Sequence, residues 1–348
     1  MKTGKIIIYI LMFVVPVFQV DAQQEFVFNE KFKKEVVNNT ASIMKNKYLS
    51  AVTGKRIGEY IVNQYKKGAY DSLNEVNDFC KKLTSDMRFI DNDKHLFVFY
   101  SPEEAWEVKA YHHLLPEKEI LELNKKYFEM DKRRNFGYEK VEILEGNVGY
   151  LKLSYFTISD TSNQSLIGSM QFLSNSDAII IDLRDNGGGE GNDLLMNYFL
   201  LPQKKYIGSL SCRDTTMNVE LWTITDIPGK RMPEIDLYIL TNKRTFSAAE
   251  GLAFTLQRLE RAKIVGETTK GGGHPVDILI VKGDVLTQFP ICKSNEPNWE
   301  GVGIKPDIEV VSANALITAH KIALKKLIEK ALDAEYKIEL EKVLKTIK

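Results

Sequence analysis

The residues best placed to do chemistry lie in Tyr238-Ile-Leu-Thr-Asn-Lys-Arg-Thr-Phe-Ser247-Ala-Ala-Glu250, where a buried-strand pattern turns through a short polar loop into a helix start. A serine hydroxyl held beside helix N–H groups is in a setting where it can become a nucleophile. Ser247-Ala-Ala-Glu250 also reads as an S-x-x-E capping box, in which the serine only satisfies orphan helix donors. Taken alone, the four residues favour capping, so a case for catalysis needs partners elsewhere in the chain.

Three further loops supply them. Asp182-Leu-Arg-Asp-Asn-Gly-Gly-Gly189 follows a buried strand, and its glycines leave backbone N–H groups open to a substrate, as in an oxyanion hole. It also reads as a tight turn; a nucleotide cradle is disfavoured because neither G-K-[ST] nor G-x-G-x-x-G occurs there. Gly266-Glu-Thr-Thr-Lys-Gly-Gly-Gly-His-Pro275 follows another strand, and Asn298-Trp-Glu300-Gly-Val-Gly-Ile-Lys-Pro-Asp307 comes last. Loops that follow successive strands converge at one sheet edge, where ligand sites form.

The elements that must position these loops are legible from periodicity. Phe26 to Met87 repeats apolar residues at three- and four-residue intervals, as at Ile57, Tyr60, Ile61 and Tyr65, and reads as a small helical domain. The polar turn Asp91-Asn-Asp-Lys-His95 leads into a strand at Leu96 to Tyr100, and a second helical stretch runs from Glu103 to Asp131. From Val141 onward, strands at Val148–Leu153, Ala178–Leu183 and Ile235–Leu240, each followed by a helical segment, argue for an α/β core. Strands at Lys263–Val265, Val276–Val281 and Val285–Phe289 are expected to extend that sheet. An amphipathic helical tail, Ala313 to Lys348, closes the chain, its charge run read as a solvated face.

Composition narrows the class. The chain has 348 residues, 44% of them apolar, enough for a large core. Lys2 and Lys5 before the apolar run Ile6 to Phe18, with Val20-Asp21-Ala22 at the cleavage positions, read as a secretory signal over residues 1–22. That run of about 13 residues is short for a bilayer span of about 20, so no stable membrane insertion is expected after cleavage. Without the leader the formal charge is −1, which gives no footprint for nucleic acid. Cys80, Cys212 and Cys292 are widely spaced and odd in number; one disulfide is open to them, spacing does not choose the pair, and no pair has zinc-ligand spacing. No metal or organic cofactor is expected.

Taken in order, the four loops resemble those of the tail-specific, or carboxyl-terminal processing, serine protease family, over residues from about 50 to 310. Within it the chain is similar to the branch holding the repeats of interphotoreceptor retinoid-binding protein and the tricorn protease core. The resemblance implies a crotonase-like or ClpP-like β-β-α spiral core over residues 140–312, an N-terminal helical cap over 23–135 and a tail over 313–348. Many members carry a serine and lysine dyad with the lysine in a G-x-x-T-x-G-K-G loop, a position where this chain has Gly272. The roughly 50 residues between His95 and Val148 are too few for the usual PDZ module, so none is expected.

The tricorn-like arrangement implies His95 as base and Glu300 as the carboxylate that orients it, with Ser247 as nucleophile. The oxyanion hole is expected from the Ala248 N–H together with Gly187 or Gly188. His274 is the rival base, and Lys270 and Asn186 are expected to border the pocket. Asp182 and Arg184 read as an internal ion pair of their loop. The implied function is a secreted, periplasmic or extracellular serine peptidase acting on peptides or protein C-terminal regions. Two other readings stay open: a non-catalytic carrier of apolar ligands or peptides on the same fold, and an esterase, the latter disfavoured because G-x-S-x-G is absent.

Overall fold

The computed structural model describes residues 27–297 and 299–347; the expected leader, residues 1–22, lies outside them. The N-terminal helical pattern forms α1 (Glu30–Lys47), α2 (Ala51–Lys66) and α3 (Val76–Ile90). Asn29 and Ser50 start the first two by accepting hydrogen bonds from first-turn N–H groups. After the polar turn come β1 (Phe97–Tyr100), α4 (Pro102–Tyr111) and α5 (Glu117–Arg133).

The α/β region then runs β2 (Tyr138–Leu144), β3 (Val148–Leu153), α6 (Asp160–Phe172), β4 (Ala178–Asp182), α7 (Asp193–Asn197), β5 (Tyr206–Cys212), β6 (Val219–Trp222), β7 (Asp236–Thr241) and α8 (Ala248–Arg258). It continues with β8 (Lys263–Gly266), β9 (Val276–Lys282), β10 (Val285–Pro290), β11 (Cys292–Ser294) and β12 (Ile308–Glu309), and ends in α9 (Ala315–Lys330) and α10 (Ala334–Thr346).

The main sheet has the order β12-β8-β7-β4-β3-β2, parallel except for β2. Its strands are apolar on both faces because both are covered. Ile179 and Ile181 of β4 point into a core shared with Leu252 and Leu256 of α8. Ala178 and Ile180, on the alternate face, pack against Ala319, Ala323 and Leu324 of α9. The tail is therefore half core: α9 buries its small and apolar stripe on the sheet and leaves only its outer side to solvent.

One expectation fails. β9 and β10 do not extend the main sheet; they pair with β1 in a separate three-stranded sheet, β1-β10-β9. The reason is apolar demand from the cap: Leu96, Val98, Val281, Val285 and Phe289 share one core with Val36, Ile57, Phe79 and Leu83 of the N-terminal helices. The cap is thus joined to the α/β body by paired strands, which bring the turn before β1 to the body's loops. A third sheet, β11-β5-β6, holds Cys212 directly opposite Cys292, and the two form a disulfide; Cys80 is buried and free. Among the described residues, no helix is long and apolar enough to cross a membrane.

Candidate active site

The loops after β4, β7 and β8 emerge at the carboxyl edge of the parallel strands, as their order suggested. Two of them are tied together by Phe246 N–H, which donates to Asn186 O at 3.0 Å, and by the Thr245 hydroxyl, which donates to Leu183 O at 2.9 Å. This turn leaves Ser247 at φ 54° and ψ −122°, a conformation that costs a residue with a Cβ about 1–3 kcal/mol. A strained, half-exposed serine at a strand-to-helix turn is the geometry of a nucleophile elbow, reached here without the glycines that usually flag it.

Glu250 holds that strain in place. Its side chain is fully buried and accepts four hydrogen bonds: from Ser247 N–H at 2.9 Å, Thr269 Oγ1 at 2.5 Å, Gly271 N–H at 2.7 Å and Gly272 N–H at 2.8 Å. Burial raises its pKa, and these donors oppose the rise. Ser247, at the N-cap of α8, and Glu250 close a capping box in both directions, the Glu250 carboxylate accepting Ser247 N–H and the Ser247 side chain facing the Glu250 N–H. An ordinary N-cap has extended backbone, so the positive φ is what sets this serine apart.

The glycines of the β4 loop press against this serine. A Cβ on Gly188, whose φ is +102°, would come 2.8 Å from Ser247 Cβ and 3.0 Å from Ala248 N. Its N–H is already donated to Asn186 Oδ1 at 2.8 Å, whereas among the described residues neither Gly187 N–H nor Ala248 N–H is paired within the protein. Asn186 is a buried brace rather than a pocket wall, its Nδ2 donating to Leu153 O. Arg184 and Asp182 form the expected ion pair, 2.6 Å apart, and Tyr150 Oη donates to the same carboxylate.

His95 approaches from the cap. It is 1% exposed, and its ring lies 4.7 Å from that of Phe246, the residue preceding Ser247. Its Nδ1 faces Asp93 Oδ1 at 3.7 Å and Glu300 Oε2 at 3.9 Å, yet among the described residues neither ring nitrogen has a hydrogen-bond partner, Ser247 included. Burial pushes its pKa down to about 4, against the pull of Asp93, so the imidazole is neutral near pH 7. A Cβ on Gly272 would lie 2.1 Å from Phe246 Cε2 and 2.6 Å from His95 Cε1. The space a dyad lysine would need is filled by the His95 and Phe246 rings.

The rival imidazole is engaged. His274 Nδ1 lies 2.6 Å from Asp93 Oδ2 and 3.6 Å from Glu300 Oε2; burial disfavours its charge, but the two carboxylates outweigh burial and raise its pKa. The Glu300 pKa is raised by burial and by the Asp93 charge, and its Oε2 accepts from Gly273 N–H at 2.6 Å and His274 N–H at 3.1 Å. Lys270 does not reach the serine but sits over the Phe246 ring, Nζ 4.3 Å from the centroid.

The structure thus gathers Ser247, Ala248, Gly187 and Gly188 at one loop junction and His95, His274, Glu300 and Lys270 around or beside Phe246, without closing a hydrogen bond between the two groups. Two carboxylates that border this site were not singled out by sequence reasoning. Asp93 was visible only as part of the Asp-Lys-His turn, where its Oδ1 accepts His95 N–H at 2.7 Å, and Glu250 only as a capping residue. Three residues that no sequence spacing links, Asp93, His274 and Glu300, offer ligand atoms within 4.8 Å of one another.

Comparison with known proteins places these features in a lineage. Residues 147–310 match peptidase family S41, and residues 22–128 match the N-terminal domain of that family found in eukaryotic IRBP. The carboxyl-terminal-processing protease of Synechocystis sp. is 29% identical over 171 residues, 47% of this chain and 38% of that protein. Its counterpart in Picosynechococcus sp. is 30% identical over 180 residues, 50% of this chain and 42% of that protein, so the chain matches about two fifths of either relative's length. A candidate peptidase from Parabacteroides merdae has a similar fold, with a TM-score of 0.59 at 18% identity, covering 88% of this chain and 100% of that one.

Proposed function

Because the chain belongs to peptidase family S41, we propose that it is an exported serine peptidase with Ser247 as nucleophile and His95 as general base. The observation that carries this reading is the strained backbone of Ser247, held at φ 54° by a buried carboxylate that does no other visible work than fix this turn and the neighbouring glycine loop. Strain maintained by so many hydrogen bonds marks a position that packing alone would not select.

In the proposed reaction, Ser247 Oγ attacks the substrate carbonyl while His95 Nε2 takes its proton. Asp93 and Glu300, near Nδ1, orient the ring and stabilise the imidazolium. The Ala248 and Gly187 N–H groups receive the oxyanion, Gly187 being preferred to Gly188 because the latter's N–H is committed to Asn186. His95 then protonates the leaving amine, and water clears the acyl-enzyme. The open gap between His95 and Ser247 closes on substrate binding, when catalytic hydrogen bonds tighten.

The same reading divides the chain into a leader at 1–22, a helical cap over 23–135, a crotonase-like spiral core over 140–312 without an inserted PDZ module, and a tail over 313–348. Substrates are peptides or protein C-terminal regions bound as an added strand. The Cys212–Cys292 disulfide supports export to an oxidising compartment, periplasmic or extracellular. The test pairs peptide hydrolysis with labelling by a fluorophosphonate. Ser247→Ala is expected to abolish labelling and slow cleavage by at least about 10³-fold; wild-type protein that is neither labelled nor faster than the variant is a carrier, not a peptidase.

A further inference from the structure

We infer that Asp93, His95, His274 and Glu300 form a binding site for one divalent transition metal of the zinc class, and that its occupation switches the peptidase off. The switching part rests on the peptidase reading above; the site itself does not. The four side chains come from the turn before β1, the loop after β8 and the loop before β12, which is why no ligand spacing appears in the sequence.

The argument begins with distances. Four ligands around a metal at about 2.0–2.2 Å sit roughly 3.3–3.6 Å from one another at the corners of a tetrahedron. Here the neighbouring ligand atoms are 2.6 Å apart for His274 Nδ1 and Asp93 Oδ2, 3.6 Å for His274 Nδ1 and Glu300 Oε2, 3.7 Å for His95 Nδ1 and Asp93 Oδ1, and 3.9 Å for His95 Nδ1 and Glu300 Oε2. Asp93, His274 and Glu300 already hold ligand atoms within 4.8 Å of one another, Asp93 turning one oxygen to each imidazole, and a movement of the His95 ring brings its Nδ1 in as the fourth ligand.

Chemistry and surroundings agree. Two imidazole nitrogens with two carboxylates suit a borderline cation such as zinc, and the two negative charges match its own. His95 supplies the independent sign of a missing ligand: its side chain is 99% buried, with both ring nitrogens unpartnered among the described residues and Nδ1 turned toward the two carboxylates. Outer contacts needed to orient ligands are in place, since Asp93 Oδ1 accepts His95 N–H and Glu300 Oε2 accepts two backbone N–H groups. Entry is open from the His274 side, where side-chain exposure is 17%, with 14% at Glu300.

The consequence for catalysis follows from the tautomer. Coordination through Nδ1 displaces water from the metal and expels to solvent the proton held between His274 and Asp93. A neutral imidazole ligated at Nδ1 must carry its remaining proton on Nε2. That nitrogen then has no lone pair to accept the Ser247 proton, so the metal blocks the base without touching the serine. The arrangement is a reversible off state that responds to free zinc or a similar ion outside the cell.

The experiment titrates Co²⁺ into the tag-free Ser247→Ala protein. One ion per chain is expected, with the intense visible absorption of a four-coordinate site. His274→Ala and Glu300→Gln should each weaken binding more than about tenfold, and His112→Ala, in an exposed turn, should not change it. In the wild type, one equivalent of Zn²⁺ should abolish fluorophosphonate labelling, and EDTA should restore it. Absence of saturable binding, or binding that follows His112 rather than His274, overturns the site. Binding through His274 that leaves labelling untouched overturns the switch. A chain that binds one cobalt through His274 but never reacts with fluorophosphonate condemns the peptidase reading, and the switch with it, while the site stands.

Discussion

The strain at Ser247 can be measured separately from its chemistry by comparing Ser247→Gly with Ser247→Ala. Both variants lack the hydroxyl, so neither should cleave peptide. Alanine keeps a Cβ at φ 54° and ψ −122° and with it the penalty of about 1–3 kcal/mol for that conformation. Glycine escapes the penalty but loses about 0.5–1 kcal/mol to the greater freedom of the unfolded chain. The difference leaves Ser247→Gly more stable by about 1 kcal/mol, equivalent to a rise of roughly 2 °C in a protein of this size. Urea denaturation of the two oxidised variants side by side is the assay. If Ser247→Ala proves equal to or more stable than Ser247→Gly, the turn is not strained and the principal support for a catalytic serine is lost.

Other consequences are equally direct. Glu250→Gln sets an amide N–H₂ against backbone N–H donors that the native carboxylate accepts, and should cost about 2–4 kcal/mol in urea unfolding and slow the labelling of Ser247. Reducing Cys212–Cys292, which closes a separation of 80 residues, should cost about 2–4 kcal/mol, read as a lower Tm with reductant than without. Glu107 is pushed up to about 8 by burial and then by Glu104 and Glu103. Its folded pKa lies above its unfolded one, so its share of stability is whole in mild acid and is lost as pH rises from about 5 through about 8. Glu107→Gln, which can still accept from Tyr127 Oη, should therefore flatten that decline by on the order of 1 kcal/mol; an identical pH profile in both proteins refutes the assignment.

The sequence by itself marked the elements with strong local periodicity, while the hairpin of β5 and β6 went unread. Apolar runs at Ala178–Leu183 and Ile235–Leu240 and the alternation at Val148–Leu153 marked strands of the main sheet, because each residue's face follows from its neighbours. Three- and four-residue spacing fixed α1 to α3, and the strand-loop order located the serine, the glycines and the family. The expectation that failed depends on partners distant in the chain. β9 and β10 carry ordinary strand patterns, and nothing in them says that β1, about 190 residues earlier, claims them rather than the main sheet. The tail's charges hid a stripe of alanines that only the sheet's second face explains.

The site divides the same way. Ser247 was legible as a residue at a helix start, but its positive φ was not, since the strain comes from Asn186, Glu250 and Gly188 rather than from its own flanks. His95 and Glu300 were proposed from motif resemblance, yet only the fold sets them near Asp93 and His274, because strand pairing between cap and body superimposes loops some 200 residues apart. Residue type and local period are properties of short segments; strain, burial and the convergence of four titratable side chains are properties of packing, and become real only when the chain has closed on itself.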